Sequence, residues 1–579
     1  MKKSIISIAL LSAVALMASC NEDRLEIEQK GVVGTETYYQ TDEDAVSALN
    51  AAYAQFYYYV CTCKNTSIYT AYRACYNMPG DDVLAAGEFF GDNDFMGSLN
   101  EYRFDNSNPV ITNCYKNLYY AVYYQNLVID HFQNDTSAIK KKCVAEAKVL
   151  RAYLHMMLTI GWGNPPLVDH VLASDARPSN GLGQAEMFKW CAKECQEALP
   201  YLDKRNGKTD QKGAVKVTTG FANAIAGKSL LFAGDYANAK TALKAVMDEG
   251  NYDLVATAKY EDNFHIEGDG NEEKIFEGNT VFNGDFMDFM LNRSSWMEAN
   301  IWGWRNSHMV ETSNVTAAYN GGMDGWGGLG IPQSFADELL AYDGVNSARL
   351  NTIMVRIDSL FYNTTYGNDE VDGLTLAQKE TSTKLGIKTN LYGQSFWLAK
   401  KQMPKPADCI MPGQNIRVNN YTLMRYAEVL LMYAECQAQL GDGDGSGLAA
   451  LQKVNQRAGS ATSVTACDMA TVKKEKKFEM WFEGCRWADL VRWGDTEGVA
   501  QAGQAVPVLY DKLFRAPEAG DENVKWEYGT EANSRFYTVT THEAKDRNMN
   551  IGFKTGKHEH FPYPFAEVSI NGNLSQPGW

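Results

Sequence analysis

The sequence predicts a mostly α-helical protein in which paired helices form a rigid frame and irregular inserts carry the function. Three observations lead there. Apolar residues recur at spacings of three and four over several segments, the signature of helices with one buried face. A helix pair built on small residues and turned by a glycine occurs centrally and again late in the chain. Two stretches, residues 61–109 and 251–420, are rich in Gly, Asn, Asp and aromatic residues and break that rhythm.

The first helix starts at Thr41, where TDED has the form of a capping box, and Val46, Leu49, Tyr53 and Phe56 continue it at helical spacing. Tyr115, Leu118, Val122, Asn126 and Ile129 form a second stripe, and Ala147, Leu150, Leu154 and Met157 a third. Residues 184–202 form a fourth, with Met187, Cys191, Cys195, Ala198 and Leu202 on one face. The clearest pair is FANAIAGKSLLFAGDYANAKTALKAVMDEG, residues 221–250. Ala222, Ala226, Leu230 and Ala233 line one helix, Gly234-Asp235 turns the chain, and Ala239, Leu243 and Val246 line the next. It looks like a tetratricopeptide unit, a helix pair about 34 residues long. Residues 421–459 repeat the pattern, and pairing the earlier stripes gives about four units: two near the N-terminus, one central and one late. A plain repeat solenoid would not carry the irregular insert of 170 residues at 251–420, so the helices are expected to be frame and the inserts to hold the site.

The N-terminus has a different purpose. Lys2 and Lys3 precede a nearly continuous apolar run from Ile5 to Met17, followed by Ala18 and Ser19, which is the plan of a secretory signal over residues 1–19. The run is shorter than the roughly 20 residues a membrane span needs. Leu16-Met17-Ala18-Ser19-Cys20 resembles a bacterial lipobox, which implies that Cys20 is lipidated and becomes the new N-terminus. Each buried lipid methylene contributes roughly 0.8 kcal/mol, so several acyl chains, palmitate among them, hold firmly. Asn21-Glu22-Asp23 resembles the short acidic tag that sends lipoproteins of Bacteroidetes to the outer face of the outer membrane.

The 579 residues carry a formal charge of −17; residues 1–19 hold two lysines and no acid, so the mature part stands at −19. That charge argues against nucleic acid or anionic lipid as the main partner. Setting Cys20 aside leaves 11 of 12 cysteines, an odd number in a chain long enough to bury its own core. Cys191 and Cys195 read as core thiols, and neither they nor Cys61-Thr62-Cys63 has the spacing of a zinc site. No cofactor is expected.

Catalytic patterns are scarce: there is no G-x-S-x-G elbow, H-E-x-x-H helix or phosphate loop. Gly441 to Ser446 begins like a calcium loop, but its twelfth position is Lys453, so a helix-to-helix turn explains it better. Asp262, Asp269, Glu272 and Glu273 read as a solvated acidic loop. The aromatics are more informative. Residues 296–305 read WMEANIWGWR, and Trp326 follows among Gly325, Gly327 and Gly328. A glycine-rich segment is a poor place to bury indoles, so Trp296, Trp302, Trp304 and Trp326 are expected to offer flat faces to sugar rings. The earlier insert supplies Tyr76, Asp81, Phe90, Asp92, Asn93 and Phe104 as further ligand-binding candidates.

Four stretches, in order, resemble the SusD/RagB family of outer-membrane lipoproteins: AEAKVLRAYLHMMLTIGWGNPPLV (145–168), GWGGLGIPQSFADELLAYDG (325–344), LMRYAEVLLMYAECQAQLGD (423–442) and KKFEMWFEGCRWADLVRWG (476–494). The last departs from the family pattern where Ala488 separates Trp487 from Asp489. Its Phe478, Trp481, Phe482 and Cys485 read as packing residues, with Arg486 and Arg492 facing Glu479, Glu483 or Asp489 at helical spacing. The resemblance implies a SusD-like fold: a signal over 1–19, an N-terminal region with helix repeats over 20–250, and a C-terminal region with ligand-binding inserts and the last repeat over 251–579. It implies a surface-exposed, lipid-anchored outer-membrane protein that captures oligosaccharides without catalysis and delivers them to a SusC-like TonB-dependent transporter. The alternatives are the same transport role with peptide cargo, or a surface glycoside hydrolase, which would need two carboxyl groups facing each other across the sugar.

Overall fold

The computed structural model describes residues 38–61, 71–87, 92–280, 297–304, 325–356, 397–410, 416–496, 525–528, 537–540 and 552–579. Cys20, Phe90 and Trp296 therefore lie outside the described residues.

Helix α1 (Asp42–Phe56) starts at the expected capping box: the Thr41 hydroxyl accepts from the Asp44 N–H at 3.1 Å, and the Asp44 carboxylate accepts from the Thr41 N–H at 2.8 Å. Its buried face is Ala45, Ala48, Leu49, Ala52 and Phe56, while Val46, expected on the inner stripe, stands 42% exposed. Small alanines, rather than valine, set how closely α1 approaches its neighbours. The first insert then carries two short helices, α2 (Ala71–Asn77) and α3 (Asp94–Asn100). The frame resumes with α4 (Pro109–Phe132), α5 (Ala138–Trp162), α6 (Gln184–Ala198), α7 (Thr219–Phe232) and α8 (Tyr236–Asp248). The predicted stripes on α4, α5 and α6 are buried as expected, including Cys191 and Cys195, except that Leu202 falls beyond the end of α6 and is half-buried. Gly234 joins α7 to α8 with a φ of +77°, a conformation that costs a residue with a Cβ, and Asp235 caps α8 by accepting from the Asn238 N–H.

Later come α9 (Gln333–Asp343), α10 (Tyr426–Leu440), α11 (Ser446–Ala458), α12 (Met469–Glu479), α13 (Arg486–Trp493) and α14 (Phe565–Ile570). The helix pairs α1/α4, α5/α6, α7/α8 and α10/α11 give the four tetratricopeptide-like units. The last is far away in sequence but not in space: α10 packs directly on α8, so the array is continuous and the long insert loops out of it. The turn at 441–446 joins α10 to α11, with Asp442 accepting from the N–H groups of Gly447 and Leu448.

Strand β2 (Lys274–Gly278) pairs antiparallel with β8 (Tyr421–Arg425), which runs straight into α10. A four-stranded sheet has the order β1-β3-β5-β4, from Leu84–Ala85, Leu329–Gly330, Trp397–Ala399 and Met354–Arg356. Its β1–β3 pairing brings the early insert against the late one. Among the described residues no helix is long and apolar enough to cross a membrane, and the ten cysteines are unpaired.

Candidate functional site

Where the two inserts meet the frame, a polar cavity of about 90 Å³ opens between α2, the helix over 297–302, the start of β8 and the turn after α12. Arg73 is its centre. Its Nη1 donates to the Gln402 side-chain oxygen at 2.7 Å, its guanidinium lies 4.4 Å over the Tyr421 ring, and its Nε is 3.4 Å from Glu298 Oε2. Burial opposes the charge on Arg73, but Glu298 and Tyr421 outweigh it and raise its pKa. Glu298 also accepts from the Trp302 indole at 2.8 Å. Two buried atoms of this group, Arg73 Nε and Glu298 Oε1, have no hydrogen-bond partner. Buried polar atoms are normally satisfied, so this charged pair stands out in the cavity wall. Asn419 and Asn420 bring amides to the opposite wall. The space suits a few waters or a polar substituent of a larger ligand.

The floor is the segment 476–494. Phe482 adopts a left-handed φ of +58°, unusual for a bulky residue, and lines the cavity with its ring 5.0 Å from Trp302. Glu483 receives Arg425 at 2.7 Å and Lys401 at 2.6 Å; burial would raise its carboxyl, but Arg425 and Lys401 hold it down to about 2. The Trp481 indole donates to the Asp82 carbonyl at 2.8 Å, and the Gly484 N–H donates to Asn77 Oδ1 at 2.8 Å. Arg486 makes a two-pronged pair with Asp81 at 2.6 and 2.8 Å. The expectation that Arg486 pairs within its own helix is thus corrected: its partner lies 405 residues earlier. Arg492 does take Asp489, at 2.8 Å, and adds Glu435 of α10.

The predicted ligand residues divide. Tyr76 lines the cavity, yet it is 1% exposed and donates to the Met157 carbonyl at 2.7 Å, so it is wall and not platform. Asp81 is engaged by Arg486 behind the floor. Phe104 is corrected to a core residue, its ring stacked at 5.6 Å on Trp579 and set edge-on to Phe561. Trp302 and Trp304 are corrected likewise, at 1% and 3% exposure. The physical reason reverses the sequence argument. Gly325 and Gly328 let their strand lie flat on the helix over 297–302, with N–H groups donating to the carbonyls of Trp304 and Ile301 at 2.8 and 2.7 Å. A Cβ on Gly325 would come 2.2 Å from the Gly303 carbonyl oxygen, so only glycine permits this lid over the indoles.

Asp92, Asn93 and Trp326 remain at the surface. Asn93 donates to the Ala86 carbonyl at 2.8 Å, Ala86 donates to Gly328 at 3.1 Å, and the Trp326 N–H donates to Asn300 at 2.6 Å. These three therefore ride on the β1–β3 junction beside the helix that carries Glu298, with Asp92 exposed and Trp326 half-buried. Sequence reasoning passed over Arg73, Gln402, Tyr421 and Glu298. The last sits inside WMEANIWGWR, where the tryptophans drew the attention; the polar run RVNNY before α10 was the available signal for the opposite wall. The supposed solvated acids are corrected too: Glu273 is fully buried against Arg425 and Arg457, and Asp269 accepts from the Asn420 N–H. No group of three or more His, Cys, Asp or Glu side chains among the described residues is placed to hold a metal ion.

The SusD family model matches residues 296–579. A SusD-like protein of Bacteroides ovatus is 23% identical over 85% of this chain and 83% of its own length. A SusD-like protein of Formosa agariphila is 22% identical over 84% and 90%. Surface glycan-binding protein A of Bacteroides thetaiotaomicron, solved in complex with laminarihexaose, superposes with a TM-score of 0.68 at 19% identity, covering 93% of this chain and all of that one. A SusD-like carbohydrate-binding protein of Bacteroides fragilis does so with a TM-score of 0.68 at 20% identity. The family match over residues 296–579, the SusD-like relatives that span most of the chain, and the shared helical frame agree: the chain is similar to SusD-like proteins along most of its length.

Proposed function

We propose that this protein captures oligosaccharides at the cell surface without cleaving them and passes them to a TonB-dependent transporter barrel, tethered through a lipidated Cys20. One observation carries the reading: the two inserts converge on a cavity lined by the Arg73–Glu298 pair, the Tyr421 ring and the amides of Gln402, Asn419 and Asn420. Aromatic faces with paired hydrogen-bonding groups suit sugar rings. The glycan-binding names of the structural relatives support the same ligand class. The cavity's carboxylates argue for binding over hydrolysis. Glu298 is committed to Arg73 and Trp302, and Glu483 to Arg425 and Lys401; Glu483 is held down to about 2, whereas a glycosidase acid needs a carboxyl with a raised pKa.

A glycan array with a peptide pool as control, on protein lacking residues 1–20, tests this. Glycans are expected to bind, and Trp326→Ala and Tyr421→Ala each to weaken binding about tenfold, equivalent to about 1.4 kcal/mol. Binding of peptides alone overturns the cargo; binding of neither, or release of reducing ends, overturns the function.

A further inference from the structure

A second groove, of about 330 Å³, lies outside the cavity just described, between α4, the segment 166–178 and α14. Its volume falls within the range of small-molecule sites. Tyr120 and Tyr123 project from α4 with 39% and 45% exposure, well above the norm for large rings in this chain's core. Lys116, one turn earlier, places its ammonium 5.6 Å from the Tyr120 ring, and His170 and Glu567 stand on the other walls. The walls are pinned: the Tyr119 hydroxyl donates to the Pro166 carbonyl at 2.7 Å, and Asn571 ties α14 to the Pro178 carbonyl at 2.8 Å. The groove is thus preformed, aromatic on one side and edged by groups that bond hydroxyls.

One segment lies between it and the first cavity. Tyr57–Cys61 is a π-helical turn, a rare element concentrated at functional sites. Its ends, Tyr57 and Cys61, line the first cavity, while Tyr59 in its middle touches Tyr120 at 5.1 Å and Tyr124 at 6.4 Å between centroids.

We infer that this groove is a second saccharide site, in which sugar rings stack on Tyr120 and Tyr123 and hydroxyls meet Lys116, His170 and Glu567. It rests on the reading above for its ligand class and on separate residues for its existence. The faces of Tyr120 and Tyr123 suit sugar rings, the ammonium, imidazole and carboxylate beside them suit hydroxyls, and Val168, Leu172, Ile570 and Leu574 complete the lining with apolar surface.

The test is ¹⁹F NMR of 3-fluorotyrosine-labelled protein titrated with laminarihexaose, maltohexaose, cellohexaose, xylohexaose and mannohexaose, with resonances assigned by Tyr→Phe substitution. At least one hexasaccharide is expected to shift Tyr120 and Tyr123. Tyr120→Ala with Tyr123→Ala should weaken binding at this groove at least tenfold and leave the response of Tyr421 intact. Tyr120→Phe, which keeps the stacking face, should bind within about twofold of wild type. Shifts at Tyr57 and Tyr421 alone overturn the second site and leave the first standing. Shifts at Tyr120 and Tyr123 alone support it and overturn the first. Shifts at neither overturn both.

Discussion

The frame and the junction beneath the cavity are held together in opposite ways. In the α7/α8 pair, Ala222, Ala226, Leu243 and Val246 are fully buried and their contacts are apolar. Burial of each larger side chain contributes about 1.5–3 kcal/mol, spread over many similar contacts. The junction instead buries three guanidiniums among five carboxylates. Arg349 pairs with Asp343 at 2.6 Å and Glu475 at 2.9 Å; Arg425 pairs with Glu273, Glu479 and Glu483, each at 2.7 Å; Arg457 closes the ring onto Glu273 and Glu479. Such a network adds little net stability over an apolar core, but it fails as a unit when one member is lost. The comparison teaches that the frame tolerates small losses, whereas the junction fixes one geometry for the inserts it joins.

The largest expected effect falls on the junction. Glu479→Ala leaves buried guanidinium charge uncompensated and should cost roughly 3–5 kcal/mol by denaturant unfolding. Val246→Ala in the frame should cost only about 2 kcal/mol; equal costs would erase the contrast. Acid should reveal the same difference. Burial opposes ionisation of Glu479 and Glu483, but Arg457, Arg425 and Lys401 win, lowering Glu479 and holding Glu483 down to about 2. Carboxyls lowered on folding contribute stability above their unfolded range near 4.5, and it is lost as pH falls towards about 2. Glu479→Gln should flatten that limb, measured as unfolding midpoint against pH.

Asp82 has the opposite sign. Burial and the neighbouring Asp81 push it up to about 7, and its Oδ2 has no partner. A raised carboxyl binds a proton more readily when folded, so stability falls as pH rises from about 4 to 7. Asp82→Asn should abolish that fall and gain about 1–2 kcal/mol over wild type at pH 8, with no gain at pH 4. The smallest effect on stability belongs to the rim: Trp326→Ala should change unfolding free energy by under about 1 kcal/mol while weakening glycan binding, whereas Trp302→Ala should cost about 3–5 kcal/mol.

Much of the frame was legible because helical periodicity is a local signal: the capping box at Thr41, the stripes on α4 to α6 and the Gly234 turn all stand where the residues imply. The site was legible only in part. That the two inserts converge could be expected; that Asp81 belongs to Arg486, or that Arg73 faces Glu298 and Gln402, could not, since no local pattern relates residues hundreds of positions apart. The indoles were not legible, because glycines signal an open loop and yet at 325–328 permit the close backbone packing that buries Trp302 and Trp304. Phe90 and Trp296 lie outside the described residues, as does Cys20.

The position of the sugar in a crystal of the complex, grown with a glycan selected on the array, tests the central claim most directly. Density is expected at the meeting of the two inserts, within hydrogen-bond reach of the Arg73–Glu298 wall and against Tyr421 or Trp326. Density confined to the outer face of the helix array, with the cavity holding only water, would contradict it.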